Sequence, residues 1–292
     1  MSESATISIE SFELCTQDNT SISAKQYLCN APKAQIVIAG ATGVPQGFYA
    51  RYAKSANVAG FNVCTLDYRG VGESKPSTLK DYHMDYLDWG QQDLAAAVEK
   101  VSELGLPIFI IGHSYGGQAV GLLPKPELVA GAYVFGTGAG WSGWMPPVER
   151  FKINLMWKVI APVFVRLYGY LAWSRLGMGE DLPFSVYKQW KRWCQYKYYF
   201  FDDPEMQHMH AQFSRFNKPL VAVTAIDDKW ATPTSRDAFF QYYKQAELVS
   251  IDLKPNDVNM HEIGHMGYFK KPANAIWQQT FVWINQQLAL HR

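Results

Sequence analysis

The sequence predicts an α/β protein with a mostly parallel central sheet flanked by helices. Three observations carry this. Strand-length apolar runs alternate with segments of helical periodicity, which is the pattern of a sheet covered on both faces. The chemistry-bearing residues each follow a strand-like run, at the carboxyl edge where open sheets of this kind place their ligands. Finally, 292 residues with 48% hydrophobic content suffice for one large, elaborated domain.

In chain order, Ile7 to Cys15 and Ser21 to Cys29 read as two strands joined by the turn-rich stretch Gln17 to Thr20. Gln35 to Gly40 is a short apolar strand that runs into the loop Ala41 to Pro45. A helix is expected from Phe48 to Ala59, closed by Gly60, and a strand from Phe61 to Leu66. From Trp89 to Leu104 the apolar positions Leu94, Ala97, Val98, Val101 and Leu104 recur at helical spacing. A buried strand from Ile108, a helix after Ser114 and a strand from Val129 to Phe135 follow. Pro219 to Ile226 and Glu247 to Leu253 are two further strands, and Trp277, Phe281, Ile284 and Leu288 stripe the last helix.

The charge balance, 27 basic against 26 acidic residues, argues against a nucleic-acid partner. The stretch Met1 to Thr6 has neither the basic nor the apolar region of a leader peptide. Cys15, Cys29, Cys64 and Cys194 form no CxxC pair, and Cys15 and Cys29 are expected as two buried thiols. Together these features predict a reducing, cytoplasmic compartment. No cofactor is implied: the turn Gly40 to Gly43 lacks the dinucleotide pattern, and there is no P-loop.

The pentapeptide Gly112-His113-Ser114-Tyr115-Gly116 at the end of the Ile108 strand has the G-x-S-x-G form of a nucleophile elbow. The flanking glycines permit a turn that lifts the middle hydroxyl above the sheet edge. Asp227 and Asp228 follow the strand Pro219 to Ile226, and His265 stands in the glycine-bounded loop Ile263 to Phe269. The chain order Ser, Asp, His is that of one serine-hydrolase architecture and of no other common one.

With these residues in place, the chain resembles the α/β-hydrolase superfamily, and within it a group of uncharacterised bacterial α/β hydrolases. The likeness runs through Gly40 to Val44, Asp67 to Ser74, Gly112 to Gly117, Asp227 to Pro233 and Gly264 to Phe269. It implies Ser114 as nucleophile, His265 as general base and then acid, and Asp228 as the residue orienting the imidazole, with Asp227 the alternative. It also implies an oxyanion hole made by the backbone N–H groups of Tyr115 and Ala41, although many relatives have His-Gly where this chain has Ala39-Gly40. The activity expected is hydrolysis of a carboxylic ester, with a hydrophobic acyl group, through an acyl-enzyme. An acyltransferase or amidase with the same triad, and a non-catalytic ligand-binding protein of the same fold, are the alternatives. The partner expected is a small acyl or ester substrate.

The run His261-Glu262-Ile263-Gly264-His265 also matches H-E-x-x-H, the helical zinc motif. Gly264 inside the would-be helix and Pro255 before it favour a loop. After His265 only His291 could complete a ligand set, so no metal site is expected. Met206 to His210 is expected to be solvated or packed beneath a lid rather than metal-binding.

Between the sixth and seventh strands the composition changes. Residues 1–140 and 215–292 form the expected core, and 141–214 a helical lid or cap insertion. Six of the ten tryptophans fall inside the insertion: Trp141, Trp144, Trp157, Trp173, Trp190 and Trp193. A helix interrupted near Pro162 is expected from Asn154 to Trp173, and another from Pro183 to Cys194. The aromatic residues suit packing of the insertion on the core, with part of the stripe lining an acyl pocket. Aromatic residues interleaved with Lys152, Lys158, Arg166, Arg175, Lys188, Lys191, Arg192 and Lys197 also suit peripheral contact with anionic lipid. Lys158, Pro162 and Arg166 interrupt the one stretch that could span a membrane.

Overall fold

The computed structural model describes residues 8–177 and 179–290. The N-terminal stretch Met1 to Thr6, the first residue of the expected opening strand (Ile7), and His291 lie outside the described residues. Eight strands form one sheet: β1 Ser8–Cys15, β2 Ser21–Leu28, β3 Gln35–Ala39, β4 Asn62–Leu66, β5 Ile108–His113, β6 Gly131–Phe135, β7 Pro219–Ala225 and β8 Glu247–Leu253. Their order is β1-β2-β4-β3-β5-β6-β7-β8. All neighbours from β4 to β8 pair in parallel, and the hairpin β1-β2 closes one edge in antiparallel pairing. Every strand expected from the sequence is present, within two residues at each described end.

Strands β3, β4, β5 and β6 are buried throughout, so they read as continuous apolar runs and not as alternating ones. Successive side chains still serve opposite faces. Ile36, Ile38, Phe109 and Ile111 pack with α1 Ala50–Val58 and α9 Asn274–Leu290. Val37, Ala39, Ile108 and Ile110 pack with the other layer, which includes α2 Ala95–Ser102 and α3 Tyr115–Ala119.

The segment between β6 and β7 carries α4 Pro147–Leu155, a π turn at Met156–Ile160, α5 Ala161–Tyr168, α6 Phe184–Trp193 and α7 Met209–Ser214. The helix expected from Asn154 therefore starts seven residues earlier, at Pro147, which needs no N–H there. It ends at Tyr168, capped by Gly169 in the left-handed region (φ 81°). Pro162 does not break it. The Ala161 N–H donates to the Met156 carbonyl, five residues back, and this wider turn accommodates the proline. Met206 and Met209 are buried and His208 is exposed.

One helix is unannounced and one expectation is corrected. Helix α8 Pro233–Phe240 follows β7, with Thr232 capping it by accepting from the Ser235 N–H and Pro233 at its first position. Cys15 is exposed and Cys29 half-buried, so they are not a buried pair. Register keeps them apart: Cys15 pairs with Ser21 at one end of the hairpin, while Cys29 follows Leu28 at the other.

Candidate active site

Ser114 joins β5 to α3 in a conformation rare for a residue with a side chain, φ 52° and ψ −113°. Holding a non-glycine residue there costs about 1–3 kcal/mol and needs a surround that permits nothing else. That surround is visible. A Cβ on Gly116 would overlap the Ala39 carbonyl, and one on Gly112 would lie 2.8 Å from the Gly117 nitrogen. The Ser114 N–H donates to the Phe135 carbonyl (2.8 Å), and its own carbonyl accepts from the Thr137 hydroxyl (2.8 Å) and the Gly117 N–H (3.0 Å).

Above this turn the structure brings three of the expected residues together. The Ser114 hydroxyl lies 3.0 Å from His265 Nε2, and His265 Nδ1 lies 2.9 Å from Asp228 Oδ2. Asp228 is buried, and its other oxygen accepts from the Trp230 and Ala231 N–H groups, each at 2.9 Å. An acceptor-only carboxylate on Nδ1 puts the ring proton there and leaves Nε2 free to accept from Ser114. Asp227 does a different job: it accepts from the Ile263 and Gly264 N–H groups (2.9 and 3.1 Å) and so ties down the loop that carries His265. Gly264, at φ 55°, keeps that loop from forming the helix that the H-E-x-x-H pattern requires, and His261 and Glu262 are exposed.

Behind the site runs a second chain of hydrogen bonds whose directions are forced. The His265 carbonyl can only accept, so His113 Nε2, 2.8 Å away, carries the proton. His113 Nδ1 is then an acceptor, and the Tyr49 hydroxyl donates to it at 3.0 Å. The Tyr49 oxygen in turn accepts the Ala41 N–H at 2.7 Å. Burial first, then the neighbouring His265, hold His113 down to about 3, so it stays neutral.

This chain corrects one expectation. Ala41 cannot supply an oxyanion donor, because its N–H is committed to buried Tyr49. The next amide, Thr42, has no acceptor among the described residues, and Thr42 faces the same cavity as Ser114. The Tyr115 N–H, at the first position of α3, is likewise without an acceptor among the described residues. Tyr86 braces both residues. Its hydroxyl bonds the Thr42 hydroxyl, its carbonyl accepts from the Tyr115 hydroxyl (2.7 Å), and the two rings stack at 4.5 Å.

The cavity has two lobes that meet at Ser114, His265, Trp173, Trp190 and Trp230. The narrow lobe, about 70 Å³, is closed by Ile153, Met156 and Trp157 of the insertion. The wider one, about 400 Å³, runs under the Thr42 loop. Trp230 leans on the His265 ring, with centroids 5.5 Å apart.

Comparison with known proteins fits this geometry. The signature of the family described as "Serine aminopeptidase, S33" matches residues 30–183, a little over half of the chain. The chain belongs to this family of α/β hydrolases. No curated protein matches it in sequence. Among solved structures, DcsB in complex with its substrate analogue is similar at a TM-score of 0.66 and 16% identity, covering 97% of this chain and 100% of that one. A soluble variant of monoglyceride lipase from Saccharomyces cerevisiae, bound to a substrate analogue, gives 0.65 and 15%, covering 98% and 96%. A thermophilic esterase from Thermogutta terrifontis gives 0.61 and 13%, covering 95% and 99%. At these identities the likeness establishes the α/β-hydrolase fold.

Tyr49, Tyr86, His113, Tyr268 and Trp230 were not singled out by the sequence. Tyr268 supports Asp228 from below, its hydroxyl accepting the Ala225 N–H (2.7 Å) and reaching Asp228 Oδ2 at 3.3 Å. The only local signal was position, and only for three of them: His113, Trp230 and Tyr268 stand inside the quoted motifs, while Tyr49 and Tyr86 carry no such mark.

Proposed function

We propose that this α/β hydrolase cleaves a carboxylic ester with a hydrophobic acyl group through a covalent acyl-enzyme. The observation that carries the proposal is the hydrogen-bond chain Ser114–His265–Asp228 opening into an apolar, tryptophan-lined cavity. Ser114 Oγ attacks the ester carbonyl while His265 Nε2 takes its proton, and Asp228 steadies the imidazolium. The Tyr115 and Thr42 amides hold the oxyanion. His265 returns the proton to the departing alcohol, and a water deprotonated by His265 then releases the acid and restores Ser114.

An exopeptidase, which the family description would suggest, needs a carboxylate to receive the substrate ammonium. Among the described residues that line either lobe there is none. The residues flanking Ser114 favour an uncharged, apolar substrate. The segment 141–214 acts in this proposal as the cap that shields the acyl-enzyme from bulk water.

A fluorophosphonate probe tests the reading. Wild type labels and hydrolyses esters, and Ser114→Ala does neither while melting at the same temperature. Folded wild-type protein that resists the probe and leaves a panel of acyl esters intact overturns it.

A further inference from the structure

The rod formed by α4, the π turn and α5 has an inner and an outer face. Inward, Ile153, Met156 and Trp157 close the narrow lobe over Ser114. Outward, Val148 (65% exposed), Phe151 (70%), Leu155 (42%), Val159 (53%), Val163 (51%) and Leu167 (69%) form an apolar line left open to solvent. A solvent-facing helix side is ordinarily polar. Single exposed apolar residues need no explanation, but an aligned row of six does.

The row is also built to be straight. Beyond Phe151 its members stand four residues apart, and at 3.6 residues per turn such a row drifts about 40° around an α-helix at each step. The π turn at Met156–Ile160 rotates less per residue, and it sits in the middle of the row. It removes most of the drift, and Val163 and Leu167 stay in line with Val148 and Phe151. Along the rod stand the exposed bases Lys152, Lys158 and Arg166, while Arg150 is committed to the Ser142 and Gly143 carbonyls. The one acid between residues 147 and 168, Glu149, is half-buried and bonded to Lys152.

We propose that this outer face rests on an anionic lipid surface, with the apolar row in the headgroup–acyl boundary and the bases along the rod on lipid phosphates. The inference rests on the ester-hydrolase reading for its purpose: the same rod that touches lipid outside lines the cavity inside, so an apolar ester has a short route from one to the other. Among the described residues no helix is long and apolar enough to cross a membrane, so the rod lies on the surface. A second copy of the chain is a poorer occupant, because a twofold contact would set the bases of one row against those of the other.

The test uses Ser114→Ala protein, so that binding is read without hydrolysis. It is sedimented with vesicles of phosphatidylcholine alone or of equimolar phosphatidylcholine and phosphatidylglycerol. Binding is expected on the anionic vesicles, weakening with salt. It should fall roughly tenfold or more in Phe151→Ser/Leu167→Ser and again in Lys158→Glu/Arg166→Glu. In the Ser114 form, the apolar double variant keeps its rate on a water-soluble short-chain ester and loses rate on an ester held in anionic vesicles. Absence of binding, binding unchanged in both variants, or a dimer in light scattering that the apolar variant dissociates, each overturns the proposal. Variant-sensitive vesicle binding by a protein that resists the fluorophosphonate would sink the hydrolase reading and leave the lipid surface standing.

Discussion

The loops at the sheet edge and the inserted helices differ in how they are held. Around Ser114, Asp228 and His265 the polar groups have assigned partners. Tyr49, His113 and the His265 carbonyl fix one another's protons, and Tyr86 fastens Thr42 to Tyr115. The rod from Pro147 to Tyr168 is held mainly through apolar contacts on its inner face and leaves its outer face bare. The first arrangement tolerates one geometry, as positioned proton transfer requires. Under the proposed function the second governs what comes near that geometry, and its bare face can vary without touching it. Changes to the contacts that brace the loops should therefore act on rate and folding together, and changes in the insertion on which substrates are reached.

The largest break in this contrast comes from the two adjacent aspartates. Asp228→Asn keeps the shape of the site but removes the acceptor that sets the His265 tautomer. Turnover should drop on the order of 10⁴-fold with little change in KM. Asp227→Asn only loosens the His265 loop, and it should lower kcat by about tenfold or less while lowering the melting temperature, since one loop N–H loses its acceptor. Equal losses in the two variants would mean that the two carboxylates do not divide the work in this way.

The pH dependence of folding reads out the network behind the site. His113 titrates near 3 in the folded chain and near 6.5 when unfolded. Between those values the unfolded chain holds the extra proton, so stability falls as pH is lowered through this window, by about 1.4 kcal/mol for each unit while His113 is neutral in one state and charged in the other. Urea titrations of wild type and His113→Gln from pH 7 to pH 4 check it. The variant should show a shallower decline, and identical slopes would remove His113 from the account.

How much of this was legible depended on whether a residue's role is set locally. Ser114 was legible because an elbow needs glycines at fixed spacing, and Asp228 and His265 because each follows a strand in a set order. Tyr49, Tyr86 and His113 were not, since a buried aromatic residue looks like core until the fold supplies its partner. The Ala41 expectation failed for a related reason: counting one residue past Gly40 cannot show that Tyr49, eight residues on, takes that amide. In the insertion the sequence reads as a helix interrupted near Pro162. A helical reading does not say which face finds a partner, so the outward row emerged only with exposure in hand.

A smaller effect is expected from Tyr49→Phe. It leaves the Ala41 N–H without its acceptor and His113 Nδ1 without its donor, both buried. Each orphan costs about 1–3 kcal/mol. The melting temperature should fall, and kcat modestly with it, as the Thr42 loop and the His265 loop relax independently. An unchanged melting temperature would show that the two loops are not coupled through this hydroxyl.

The smallest change should be the most selective. Met156→Ala widens the narrow lobe from the inner face of the rod, opposite Phe151 and Leu155. One methylene newly buried is worth about 0.8 kcal/mol, or roughly fourfold in kcat/KM. Two ester series decide where it acts, one varied in acyl length and the other in alcohol length. The optimum should lengthen in one series only, and that series identifies the part of the substrate beneath Met156. Phe151→Ser, on the outer face five residues away, should shift neither optimum for esters dissolved as monomers. If the outer substitution moves chain-length preference as the inner one does, then the two faces of the rod are not separate devices, and the division between a rigid catalytic edge and an independently variable cap fails with them.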